Sequence, residues 1–413
     1  MTDFYYKVGE IDERVTTLED QTLDARTTAL EAKAIFNQVN VKDYGAVGDG
    51  VTDNSTILQS IIDDETIYYV YFPEGTYDIN TTLDLSSRVN PLWFNGVVGS
   101  TIIQYNGTDH AINYVGSGLS RIKFSGLRVL GNDLAKDGLH AEGLTPRLII
   151  EDCEFSDHGG VGLYLKNCYA PSIKNTNCSR NGGNSSQTYK GGVYFYGSHN
   201  ISATALRCTS NNQDGMYLNL SMGCSFTGCQ FEDNARRGVY LYQSEGNSFV
   251  GNYIEHNGLT TNNSDERCGF FINGTSDRPS RGNLINGNYF NGGTATADDR
   301  SSRYGIYLDY AEGTIIQANM LFNHGVASLY AGTNADRTVW GINTTREAGS
   351  NPDATIISKG STNEVITIEK RTRAGTPVAN YTPRFIGEEC FDSSNTVWYK
   401  STGLTNTDWV ALN

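Results

Sequence analysis

A phrase of apolar and polar positions recurs along the middle of the chain. It reads Gly, aliphatic, Tyr, aliphatic: GLYL at Gly162, GVYF at Gly192, GMYL at Gly215, GVYL at Gly238 and GIYL at Gly305. Anchored on its glycine, the unit falls at Gly138, Gly162, Gly192, Gly215, Gly238, Gly269, Gly305 and Gly325, with shortest spacings of 23 or 24 residues. That period suits one coil of a β-solenoid, in which every coil buries its apolar side against the next. Successive residues of a strand face opposite sides. Leu163, Val193, Met216, Val239, Phe270 and Ile306 are therefore expected to point inward, together with Leu165, Phe195, Leu218, Leu241, Ile272 and Leu308. The residues between them face out, so Tyr164, Tyr194, Tyr217, Tyr240, Phe271 and Tyr307 form one outward column, with Tyr196 and Tyr242 in the next. A second strand precedes each unit and aligns Cys153, Cys178, Cys208, Phe231, Ile254, Phe290 and Leu321 as an inward column. Asn181, Asn211, Asn234 and Asn257 recur at one turn, and Asn252, Asn288 and Asn319 at another, where stacked amides can satisfy turn backbone groups.

On either side of the repeat the pattern changes. Ile11, Val15, Leu18, Thr22, Ala25, Ala29 and Ala32 follow a 4-3 rhythm, which predicts a short coiled coil or a lone amphipathic helix packed on the body. After about Tyr330 the phrase stops, and TVWGINTT, ATIISKG and EVITIEKRTR read as alternating strands. Three segments follow: a coiled-coil or adaptor segment over 1–39, a parallel β-helix with an N-terminal cap over 40–330, and a β-rich trimerisation or accessory module over 331–413.

Composition narrows the partners. Forty-five Gly against 8 Pro fits many short strands joined by tight turns. The 31 basic and 46 acidic residues leave a net charge of -15, which excludes a phosphate-backbone partner, because nucleic-acid binding rests on Lys and Arg. No positively charged start leads into an apolar run, and no apolar run of about 18 residues occurs, so neither a secretion signal nor a membrane span is expected. The eight Cys are expected as reduced, small hydrophobes. Cys224 and Cys229 lack a second pair at zinc spacing, and no metal or other cofactor is expected.

The string DYGAVGDGVTDN (Asp43 to Asn54), with FPEGTY (Phe72 to Tyr77) some twenty residues on, resembles the opening of the pectate-lyase-like superfamily of right-handed parallel β-helices, a form common in bacteriophage tailspikes. The resemblance implies an all-β, right-handed parallel β-helix in which the helix around Ser55 to Ile62 covers the open end of the solenoid. Asp49 and Asp53 then cap turns and the helix start rather than act chemically. PRFIGEECFD (Pro383 to Asp392) and DWVALN (Asp408 to Asn413) resemble small terminal β modules of phage tail proteins. With the N-terminal coil they imply a homotrimer, joined to the phage tail or baseplate through its N-terminus. Beyond the opening motif, the catalytic signatures of pectate lyases and polygalacturonases are missing.

Extra residues enter at one edge only, over 182–191, 258–268 and 294–304, whereas Asn211 to Gly215 and Asn234 to Gly238 stay short. Two bare coils between tall loops predict a groove. Its floor would carry Asp214, Glu232, Asp233, Arg236 and Arg237, with Glu255 and His256 on the next coil and Asp265 and Glu266 in the wall. Glycoside hydrolysis needs two carboxyl groups about 5.5 Å or about 6.5 to 9.5 Å apart. Glu232 and Glu255, at equivalent positions one coil apart, can supply them, with Asp214 or Asp233 as a further acid. A polysaccharide lyase would use Arg236 and Arg237 against a uronate carboxylate and Tyr240 or His256 as base. Tyr217, Tyr240 and Tyr242, where the edge is short, are the aromatics best placed to stack on sugars. The strip as a whole serves either that purpose or packing against another subunit. The function expected is a tailspike that binds and cleaves a bacterial surface polysaccharide. A non-catalytic receptor-binding fibre is the alternative.

Overall fold

The alternation of the repeat is realised as three long parallel sheets wound around one core. A computed structural model describes residues 38–412 apart from 117–120, 145–147, 185, 260–266, 294–301, 347–355, 359–365, 368–370, 374 and 384–386. The coiled coil expected over 11–32 lies outside the described residues. Each coil contributes one strand to each sheet: Ser225–Thr227 to the first, Gln230–Glu232 to the second and Arg237–Tyr242 to the third, after which Ser248–Val250 returns to the first. The three sheets hold 13, 12 and 11 strands among the described residues.

Register follows the inferred columns. Leu163, Val193, Met216, Val239, Phe270 and Ile306 pair in sequence, as do Leu165, Phe195, Leu218, Leu241, Ile272 and Leu308, and all are buried. At the turn between the second and third sheets, the Asn181, Asn211, Asn234 and Asn257 side chains form a buried ladder. Each Oδ1 accepts the backbone amide of the coil before it, at 3.0 to 3.2 Å. Asn252, Asn288 and Asn319 do the same at the preceding turn, and Asn343 extends the series. The helix Ser55–Asp63 turns Leu58, Ile61 and Ile62 into the core, closing the N-terminal end. Asp49 Oδ1 accepts the Val51 and Thr52 amides, and Asp53 accepts the amide of Ser55, so both acids cap the backbone as expected.

Three placements differ from the sequence reading. Cys178 pairs with Cys208 and then Phe231, but the member before them is Phe155; Cys153 sits two residues earlier at the turn, so two cysteines share the column, not three. The glycine position of the last unit is held by Ser328, since Tyr304 pairs with Ala327 and Tyr307 with Tyr330, and Gly325 lies three residues ahead. Pairing also continues past Tyr330: Val339–Trp340 and Ile366–Thr367 extend the first sheet, Thr344–Arg346 the second and Ile356–Ser358 the third. The separate C-terminal unit is a four-stranded sheet of Arg371–Arg373, Glu389–Asp392, Val397–Ser401 and Trp409–Leu412, whose last three strands are antiparallel.

All eight cysteines are buried thiols. Burial pushes the Cys178 and Cys208 thiols well above their ordinary range, which keeps them protonated and unreactive.

Candidate functional site

The outward column of the third sheet is a continuous ladder of rings. His140, Tyr164, Tyr194, Tyr217, Tyr240, Phe271, Tyr307 and Tyr330 are register neighbours. Their centroids stand 4.3 to 5.3 Å apart, and the Tyr217 and Tyr240 rings are stacked at 4.5 Å. Exposure varies along it because the first insertion folds back over the ladder. Tyr189, on the first insertion, stacks on Tyr194 at 4.4 Å and leaves it 1% exposed, whereas Tyr217, Tyr240 and Tyr242 remain half-buried.

The acids expected on one floor are distributed over two sheets. Asp214 and Arg237 enter the third sheet as a buried bidentate ion pair, with Nε to Oδ1 at 2.6 Å and a second bond at 2.9 Å. The Arg237 guanidinium lies over the Tyr240 ring, 3.7 Å from its centroid. Asp214 therefore neutralises a buried cation instead of serving as a free acid, and the pair stands beside the ladder on the outer face of the third sheet, where Cys268, the register partner of Arg237, packs with Tyr240 and Phe271. Arg236 stays half-buried; burial and then the neighbouring Arg237 hold its guanidinium below the usual range. Asp265 and Glu266 lie outside the described residues.

Glu232 and Glu255 do meet. They are register partners on the outer face of the second sheet, between Thr209 before and Asn291 after. Glu255 accepts hydrogen bonds from Asn291 Nδ2, at 2.7 Å, and from the Tyr253 hydroxyl; Glu232 accepts one from Gln230 Nε2. Asp233 and His256 follow them at left-handed backbone positions, φ 54° and 50°, with His256 Nδ1 3.7 Å from Asp233 Oδ1. Glu232 and Asp233 line a cavity of about 600 Å³ on this face, shared with Arg128, Glu154, Asn177 and Arg207. Carboxylates, amides and guanidinium groups around an open trough offer both donors and acceptors, the lining that polyhydroxylated ligands need. Burial raises the Tyr217 and Tyr240 phenols above their ordinary range, with Arg237 opposing it at both, which disfavours either as a proton-abstracting base near neutral pH.

A second cluster was not foreseen. Asp137 precedes the third-sheet strand Leu139–Glu142 and is 7% exposed, facing His110 from the coil before and His140 from its own strand. Its Oδ2 is 3.0 Å from His110 Nδ1 and 2.9 Å from His140 Nδ1, while Oδ1 accepts the Val161 amide at 3.0 Å. Burial favours the neutral acid, but the two imidazoles and that amide outweigh it and hold Asp137 below the usual carboxylate range. The His140 ring lies flat on Tyr164, 4.3 Å away and 5° from parallel, and so ends the ladder. The signal was present: Gly138 belongs to the repeat, which assigns His140 to the tyrosine column.

Two family models match the chain: rhamnogalacturonase A/epimerase, pectate lyase-like, over residues 38–118, and right handed beta helix region over 186–344. Over these two stretches the chain is similar to pectate-lyase-like and right-handed β-helix proteins. The β-helix resembles the A-module of mannuronan C-5 epimerase AlgE4 from Azotobacter vinelandii at 16% identity and TM-score 0.54, covering 79% of this chain and 99% of that one. It also resembles the Dettilon tailspike protein, at 14% identity and TM-score 0.52, over 89% and 76% of the two chains. At these identities the likeness is one of fold. A curated relative, plasmin and fibronectin-binding protein A of Streptococcus pneumoniae, is 43% identical over 56 residues, which is 13% of this chain and 8% of that protein. No helix among the described residues is long and apolar enough to cross a membrane.

Proposed function

We propose that this β-helix is a phage tailspike that binds a bacterial surface polysaccharide (capsule, exopolysaccharide or O-antigen) and cleaves its glycosidic bonds, acting at the virion tail as a homotrimer attached through its N-terminus. The observation that carries the reading is the register pair Glu232 and Glu255, facing outward beside a polar trough and one corner away from the exposed part of the tyrosine ladder. In-register neighbours in a parallel sheet have backbones about 4.8 Å apart. That spacing favours the closer carboxyl separation, near 5.5 Å, used when one carboxylate attacks the anomeric carbon. Glu255, held by Asn291 and Tyr253, suits the anionic nucleophile. Glu232 then protonates the departing glycosidic oxygen, and in the second half-reaction takes a proton from the water that releases the sugar from Glu255. Tyr242 supplies a ring for neighbouring sugars, Tyr217 and Tyr240, stacked on one another, supply their outer edges, and Arg236 and His256 stand at the corner between them and the acids.

The test is incubation of the purified protein with capsule or lipopolysaccharide of its host. Release of new reducing ends with shortening chains is expected. An absorbance band from an unsaturated uronate would instead identify a lyase, and binding without shortening would identify a receptor-binding fibre.

A further inference from the structure

We propose that His110, Asp137 and His140 form a binding site for one divalent transition-metal ion of the zinc class, with both imidazoles ligating through Nδ1 and Asp137 through Oδ2. Their ligand atoms lie within 4.8 Å of one another. Donors around a four-coordinate zinc at about 2.0 to 2.1 Å stand about 3.3 Å apart. The observed separations of 3.0 and 2.9 Å need to open by only a few tenths of an ångström.

Two further features separate this group from an ordinary buried ion pair. His140 has a carboxylate hydrogen-bonded at its far nitrogen, Nε2 standing 3.2 Å from Glu142 Oε1, while Asp109 Oδ1 lies 3.6 Å from His110 Nε2, beyond hydrogen-bond distance. Each of those carboxylates is in turn held by a lysine, Lys166 on Glu142 at 3.0 Å and Lys136 on Asp109 at 2.9 Å. A carboxylate behind a histidine keeps the proton on the far nitrogen and frees the near lone pair for a metal. With the His140 proton on Nε2, its Nδ1 lone pair faces Asp137 Oδ2 at 2.9 Å, an arrangement that a cation between them satisfies. The second feature is His110 Nδ1 itself. It is buried and close to Asp137 Oδ2, yet lacks the alignment of a hydrogen bond. Such an atom fits a lone pair directed at a shared point rather than at the oxygen. Two imidazoles and one carboxylate are donors suited to zinc, with remaining positions left for water or a ligand hydroxyl.

The experiment uses the full chain, stripped with a chelator and titrated with Zn²⁺ by calorimetry and with Co²⁺ by visible absorption. One ion per chain is expected. His140→Phe, which keeps a flat ring on Tyr164, should weaken binding at least tenfold, and Glu142→Gln should weaken it about 10- to 100-fold by removing the outer carboxylate. His199→Ala, at another corner, should leave it unchanged. Absence of stoichiometric uptake overturns the proposal, as does uptake that His140→Phe and Glu142→Gln both leave intact. Should His140→Phe fail to fold, Glu142→Gln alone decides. None of these readings depends on a glycan, so they stand apart from the test of polysaccharide cleavage.

Discussion

Single residues in this molecule are separated by what surrounds them more than by what they are. Arg237 and Asp214 lie at 3% and 8% side-chain exposure, so Arg237→Ala would strand a buried carboxylate and cost about 3 to 5 kcal/mol. Chemical denaturation of the variant checks this. Glu232 and Glu255 are partly exposed and held by lighter bonds, and Glu232→Gln or Glu255→Gln should leave the melting temperature nearly unchanged while lowering cleavage a hundredfold or more, read as reducing ends released. A loss of folding instead would assign them to the scaffold. His158 offers a pH signature. Burial pushes its pKa down to about 4, although its Nε2 meets the Val129 carbonyl oxygen at 3.1 Å. The unfolded chain takes up this proton near pH 6.5 and the folded chain only near 4, so the unfolded state binds more protons between those values. Stability is therefore complete above pH 6.5 and declines as pH falls toward 4, by up to about 3 kcal/mol. His324, pushed down to about 3 by burial, acts in the same direction. Melting curves from pH 7.5 to 4.5 should show the decline, reduced in His158→Gln; a flat profile would refute it.

Among elements, the recurring glycine has a steric cause that becomes visible once coils are stacked. At Gly192, Gly215 and Gly238 a Cβ would come within 2.4 to 2.7 Å of the main-chain oxygen of Gly215, Gly238 and Gly269, and within 2.6 to 3.0 Å of a ladder asparagine Nδ2. Glycine is needed there for close approach of coil to coil, not for its backbone freedom. The asparagine ladder beside it completes buried hydrogen bonds. Asn234 Oδ1 accepts from the Asn211 amide, and its Nδ2 donates to Cys208 O and Asn257 Oδ1, both at 2.9 Å. Removing that side chain leaves several buried groups unpaired at about 1 to 3 kcal/mol each. Asn234→Ala should therefore lower the denaturation midpoint strongly, and the exposed neighbour change Asn212→Ala should shift it by less than about 0.5 kcal/mol. Equal effects would remove the ladder from the account of stability.

At the scale of the whole molecule, one edge of the solenoid gathers the variation. The insertions around 182–191 and 258–268 enter between the second and third sheets, while the inward columns run on beneath them without interruption. A rigid scaffold with loops concentrated on one edge is the arrangement in which binding residues vary without disturbing the core. The proposed trimer is checked by analytical ultracentrifugation of the full chain, where three times the 45.2 kDa chain mass is expected and a monomer would refute it.

The solenoid, its inward columns and both asparagine series were legible in the chain because each depends on periodicity: two residues along a strand and one coil length between strands. Tyr217 and Tyr240 emerged as partly open positions for the same reason, since insertion lengths show where the edge is low. The partnerships of the acids were not legible. Asp214 and Arg237 are 23 residues apart and differ from any other pair of charges only in being pressed together beside the tyrosine ladder. His110 and Asp137 stand on adjacent coils, and no local pattern announces that their side chains meet. Periodicity assigns a residue to a face, whereas protonation, pairing and metal affinity depend on which side chains stand within about 3 Å, and folding alone brings them to that distance.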